Sequence, residues 1–101
     1  MLEQYPDDWN VLELTAHAYN AVGRYKEADA LFDRAVKMRP EDAGLRLRIA
    51  VAHDSRGDKE RAQEELAKVV EMDPLGPVGR AALDRLAESL PRLMPFEPGG
   101  S

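Results

Sequence analysis

Apolar side chains return every three or four residues along most of the chain, the spacing that gathers them on one face of a helix. The clearest stretch is Tyr25-Lys-Glu-Ala28-Asp-Ala-Leu31-Phe32-Asp-Arg-Ala35-Val36-Lys-Met38. Ala62, Leu66, Val69 and Val70 repeat its rhythm within Lys59–Met72. The pairs Asp33/Lys37 and Glu64/Lys68, four apart with the acid first, add weak support for helix. The breaks are equally regular. Gly23 and Gly57 each follow an apolar-periodic run of about 14 residues, where glycine can take the left-handed conformation that ends a helix. Pro40 and Pro74 close the next run in each case, and a helix must stop before them. The pattern therefore predicts five helices, at Trp9–Val22, Tyr25–Met38, Ala43–Arg56, Lys59–Met72 and Pro77–Ser89. Asp8 and Asp42 fit N-caps, and Pro77 fits a first helical turn. The tail from Pro91 to Ser101 holds five Pro or Gly in 11 positions and reads as irregular.

These segments repeat. Shifting the chain by 34 residues aligns Ala16 with Ala50, Ala18 with Ala52, Gly23 with Gly57, Ala28 with Ala62, Val36 with Val70, Met38 with Met72 and Pro40 with Pro74. The matched positions are those a helix hairpin constrains: turn glycines, terminating prolines, and small residues where two helices cross closely. The reading is thus a stub at 1–8, one repeat at 9–42, a second at 43–76, a capping helix at 77–90 and the tail at 91–101. Pro6 lies 34 residues before Pro40, so Met1–Tyr5 fall where a preceding unit's second helix would end. The alternative is an unrelated proline in a short extension. Two repeats and a cap are lean for stability, so weak homo-oligomerisation is a further expectation.

Composition narrows the class. A chain of 101 residues makes one domain, and 44% hydrophobic with 33% charged residues is globular rather than disordered. Aromatics at 6% and 14 alanines favour an all-α fold. The net charge of −5 is spread evenly and forms no basic stripe, which argues against nucleic acid as a partner. No run approaches the roughly 18 apolar residues of a membrane span, so no membrane insertion is expected. Without cysteine there is no disulfide, thiolate metal site or cysteine nucleophile. No signal peptide is visible at Met1–Asn10, which favours the cytoplasm but leaves the compartment open. Ten Arg against four Lys, with the alanine excess, fits a GC-rich bacterial coding sequence.

The repeat unit resembles the tetratricopeptide repeat, whose 34-residue helix–turn–helix follows the pattern Trp-x₂-Leu-Gly-x₂-Tyr, then Ala-x₃-Phe, then Pro. The first unit reads Leu12-x₂-Thr15-Ala16-x₂-Tyr19, Ala28-x₃-Phe32 and Pro40; the second reads Arg46-x₂-Ile49-Ala50-x₂-His53, Ala62-x₃-Leu66 and Pro74. Gly23-Arg-Tyr25 and Gly57-Asp-Lys59 look like the family's inter-helix turn. The large aromatic gives way to Leu12 and Arg46, Ala replaces the small Gly in both units, and His53 replaces Tyr. The resemblance covers residues 9–76, and Val78–Ser89 resembles the family's capping helix. It implies a right-handed α-solenoid of antiparallel helix pairs and a scaffold or adaptor that binds a protein or peptide partner.

In such a stack the first helix of each unit lines a concave groove. Its columns would be Asn10, Gly44 and Val78; Glu13, Leu47 and Ala81; His17, Val51 and Arg85; Asn20, Asp54 and Glu88. The candidate partner-binding residues are Asn10, Glu13, His17, Asn20, Leu47, Arg48, Val51, Asp54 and Arg85. Leu47 and Val51 would form a small apolar centre within a polar rim, or else pack between adjacent first helices. Some family members grip a terminal carboxylate through a cation and an amide; here Glu13 and His17 stand at those places, Glu13 would repel a carboxylate, and Arg48 alone could serve. His17 should face the groove and His53 the core or the seam, so the two do not make a metal site. Trp9 can anchor a partner or pack over the first helix end, and Tyr19, Tyr25 and Phe32 read as core. No catalytic residue or cofactor is expected. The hydroxyls of Thr15, Ser55, Ser89 and Ser101 sit in no nucleophile setting, there is no phosphate loop, and the carboxylates read as exposed.

Overall fold

The computed structural model describes residues 8–89, so the N-terminal stub through position 7, with Pro6, and the tail at 91–101 lie outside the described residues. Five helices follow one another, α1 (Trp9–Ala21), α2 (Tyr25–Met38), α3 (Ala43–Ser55), α4 (Lys59–Met72) and α5 (Pro77–Ser89), with no strand among the described residues. α1 packs on α2, α3 on α4, and α5 on α4 and α3, giving the expected all-α arrangement of helix pairs with a terminal helix.

The ends of the helices follow from their sequence. Asp8 accepts a hydrogen bond from the Asn10 amide at 2.9 Å, and Asp42 accepts one from Leu45 at 2.9 Å. Asp58 caps α4 in the same way. At the other end, Gly23 (φ 87°) and Gly57 (φ 95°) carry the positive φ that lets the chain reverse. Around each glycine the same two bonds form: Arg24 N–H to Tyr19 carbonyl and Asp58 N–H to His53 carbonyl at 2.9 Å, with Gly23 to Asn20 and Gly57 to Asp54 inside them. This doubled closure satisfies carbonyls that a helix end otherwise leaves open. Val22 and Arg56 serve as caps, so α1 and α3 end one residue earlier than their apolar periodicity predicts. Arg39 and Asp73, each before a proline, leave helical geometry because the proline ring crowds them.

Two apolar clusters run through the stack. The first joins Leu12, Ala16, Ala28, Leu31, Phe32 and Ala35 to Leu45, Ile49 and Ala52 of the next unit. The second joins Ala50, Leu66, Val69 and Ala82, with Leu47, Val70, Val78 and Leu86 packed on it. Each fully buried large side chain contributes about 1.5–3 kcal/mol, and the first cluster binds the two units into one body. Ala16, Ala28, Ala50 and Ala62 are all buried, as close helix crossings require. Trp9 packs on the first cluster with the Arg39 guanidinium 4.7 Å from its ring centre. Tyr25 departs from the sequence reading. It is 42% exposed, because it begins α2 at the turn, and the Arg56 guanidinium covers one face of its ring.

A candidate partner-binding face on the first helices

The nine sequence-derived candidates lie on α1, α3 and α5, and the structure divides them into a fixed floor and an open remainder. Glu13 is the centre of the floor. It is 4% exposed, which corrects the expectation that every carboxylate lies on an exposed face. Its burial is possible because Arg48, from the next unit, grips it with Nε 2.6 Å from Oε2 and Nη2 3.0 Å from Oε1. A two-pronged, charge-assisted contact of this kind is among the stronger hydrogen bonds a protein makes. His17 adds its Nε2 at 3.2 Å from the same carboxylate while its ring meets Phe32 edge-on at 5.0 Å. Burial pushes the Glu13 carboxyl up, but the bonds from Arg48 and His17 outweigh it, and the group titrates below its ordinary range. Bonding to Glu13 raises the Arg48 guanidinium. Glu13 therefore presents no free negative charge to a bound chain, and Arg48 is not free to act as a lone carboxylate clamp.

Asn20 is held just as firmly. Its amide donates to the Ala52 carbonyl at 3.2 Å and its oxygen accepts from Arg56 at 3.0 Å. Arg56 goes on to Asp29 of α2, with bonds of 3.1 and 2.8 Å. Asp29 also receives Arg61 at 3.4 Å and lies 3.2 Å from His53 Nε2. Burial again raises the Asp29 carboxyl, and the bonds from Arg56 and His53 bring it below its usual value. His53 is buried at the seam beside Phe32, as its repeat phase implies, and is well apart in role from His17. Among the described residues no three acidic or histidine side chains gather as metal ligands, and no helix is long and apolar enough to cross a membrane.

The open remainder consists of Asn10, Leu47, Arg48, Val51, Asp54 and Arg85. Asn10 is exposed at the start of α1, Val51 is half-buried on α3, and Leu47 leans on the second apolar cluster. Leu47 thus does some packing between helices, and both apolar side chains keep part of their surface open. Asp54 links α3 to Lys59 at 2.7 Å and to Arg85 of α5 at 3.9 Å. Two clefts, of about 510 and 210 Å³, are bordered by α2, α3, α4 and the α2–α3 turn, not by α1 or α5. Charges of both signs line the smaller one, and Arg46, His53 and Glu65, which border it, each have a buried side-chain atom without a hydrogen-bond partner. Such a lining fits ordered water.

The family model described as tetratricopeptide repeat matches residues 19–86, more than half of the 101-residue chain. The chain belongs to the tetratricopeptide repeat family. No curated protein matches it significantly. Tetratricopeptide repeats generally mediate protein–protein interaction and are typically non-catalytic. The match spans the end of α1 through most of α5.

Sequence reasoning missed Asp29 and Arg56. They hold non-equivalent positions in the 34-residue unit, so no column of the repeat brings them together. The one signal was Arg56 itself, a cation at the end of α3 beside the turn glycine Gly57.

Proposed function

We propose that this tetratricopeptide repeat chain is a non-catalytic scaffold that takes a segment of a partner protein along the α1–α3–α5 face. One observation carries the reading: the charged groups of this face are paired across unit boundaries, Glu13 with Arg48 and Asp54 with Arg85. The surface is therefore preformed, and its polar groups need little reordering when a partner arrives, which lowers the cost of binding. Val51 and the open edge of Leu47 offer apolar contact at its middle, with Asn10, Arg48 and Arg85 as polar neighbours. An extended or helical segment with one or two apolar anchors and neutral hydrogen-bonding groups suits such a face. A terminal carboxylate suits it poorly, because Arg48 already has its acid.

The test uses peptides selected against the chain from a random displayed library. Val51→Glu and Arg85→Glu are the informative variants, since both side chains are at least partly open and neither belongs to a buried cluster. Each should weaken the selected peptide about tenfold or more while the helical circular dichroism is kept. Unchanged affinity in both variants contradicts the reading.

A further inference from the structure

Three departures of the second unit from the first fall in one place. Arg46 stands where the first unit has Leu12, His53 where it has Tyr19, and Glu65 where it has Leu31. All three border the cleft of about 210 Å³ that lies between α2 of the first unit and α3 and α4 of the second. Among the described residues, the buried side-chain atoms without a hydrogen-bond partner are Arg46 Nε, His53 Nδ1 and Glu65 Oε1, one from each. Buried polar atoms left unpaired cost stability and are rare in folded proteins. Three of them, on the three exchanged residues that share one cleft, point to an occupant. Their chemistry is defined. Arg46 Nε–H donates and Glu65 Oε1 accepts. The Asp29 carboxylate, which only accepts, lies 3.2 Å from His53 Nε2, so that nitrogen carries the proton and Nδ1 is left as an acceptor. The rim adds one charge of each sign. Asp33 on α2 and Lys68 on α4 both border the cleft, are exposed, and make no hydrogen bond or ion pair with the described residues.

We propose that this cleft binds a small free α-amino acid in its zwitterionic form. The ammonium group brings three donors, which match His53 Nδ1, Glu65 Oε1 and the Asp33 carboxylate. The carboxylate brings the acceptors that Arg46 Nε–H and the Lys68 ammonium need. A ligand of single charge suits the cleft poorly. Its acids, Asp29, Asp33 and Glu65, equal its permanent cations, Arg46, Arg61 and Lys68, so a lone anion or cation meets as much repulsion as attraction. The charges are also separated. α2 contributes acids alone, whereas the cations come from α3 and α4, which favours a ligand with a positive end and a negative end. The volume holds about seven waters at about 30 Å³ each, enough for an amino acid with a small side chain to displace several of them. A ligand seated here touches both units and so stabilises their junction. None of the residues it uses belongs to the partner-binding face, so the proposal stands or falls independently of that reading.

Titration of the isotope-labelled full chain with L-alanine, followed by amide chemical shifts, tests it. The amides of Arg46, His53 and Lys68 should shift and saturate with a Kd of about 1–10 mM. Acetate and methylammonium, each carrying one of the two charges, should bind at least about tenfold more weakly. Two variants complete the test. Lys68→Met changes an exposed side chain, and Arg46→Leu combined with Glu65→Leu installs the residues that the first unit buries at the same places. Both should keep the helical circular dichroism and lose the saturable shifts. Shifts that are absent or do not saturate, a single-charge probe that binds as well as L-alanine, or a folded variant that binds undiminished overturns the proposal. The first of these outcomes leaves the cleft to water.

Discussion

Arg46 of α3 faces Glu65 of α4, with Nη1 3.7 Å from Oε1, at the two positions where the first unit places Leu12 and Leu31. Both leucines are fully buried, whereas the two charged side chains keep 20% of their surface open. The second unit thus has an ion pair where the first has two buried leucines. The exchange has to be made on both helices at once, since either charge alone would be desolvated without compensation.

This pairing makes a stability prediction. Glu65→Leu alone should destabilise the chain by about 1–2 kcal/mol, because Arg46 loses its partner in a half-buried place. Adding Arg46→Leu should restore stability to wild type or above it, since the second unit then matches the first. Urea unfolding of the two variants and the wild type checks both statements.

The junction acids predict a pH dependence. Glu13 and Asp29 both titrate below their ordinary values in the folded chain. A carboxylate of lowered pKa contributes stability that is complete above its unfolded value of about 4 and is lost as pH falls through the folded value. The urea midpoint should therefore drop as pH falls below about 5. Glu13→Gln combined with Asp29→Asn should flatten that acid limb. An equal slope in the double variant would mean that other groups carry it.

Two kinds of glycine should respond differently to substitution. Gly57 has φ 95° and open space around it, so Gly57→Ala should cost about 1–2 kcal/mol through backbone strain, and Gly57→Asn clearly less. Gly79 is required for a different reason. A methyl group there would collide with the Asp73 backbone carbonyl, while the Asp73 carboxylate accepts the Val78 and Gly79 amides at 3.1 Å. Gly79→Ala should cost about 1–3 kcal/mol and Asn should not rescue it. Thermal melts followed at 222 nm distinguish the two.

Much of the fold was legible before the helices were placed in space. Turn glycines, terminating prolines and small crossing residues are local or periodic signals, and they give helix starts at positions 9, 25, 43, 59 and 77 that the structure keeps. The candidate face was legible only as a set of columns. Whether Glu13 is open or buried depends on Arg48, 35 residues away, and on how one unit seats against the next. Arg46 stood out as a charge where the family pattern has an aromatic, yet its partner Glu65 emerges only when α3 and α4 are paired. Tyr25 was misread because its helical phase is right for the core while its place at the turn leaves it outside.

The central claim is that a partner chain lies along α1, α3 and α5. Amide chemical-shift mapping of the isotope-labelled chain, titrated with a library-selected peptide, tests it most directly. The account predicts the largest shifts at Arg48, Val51, Asp54 and Arg85. Shifts concentrated instead on α2 and α4, around Asp33, Lys68 and Glu71, would contradict it.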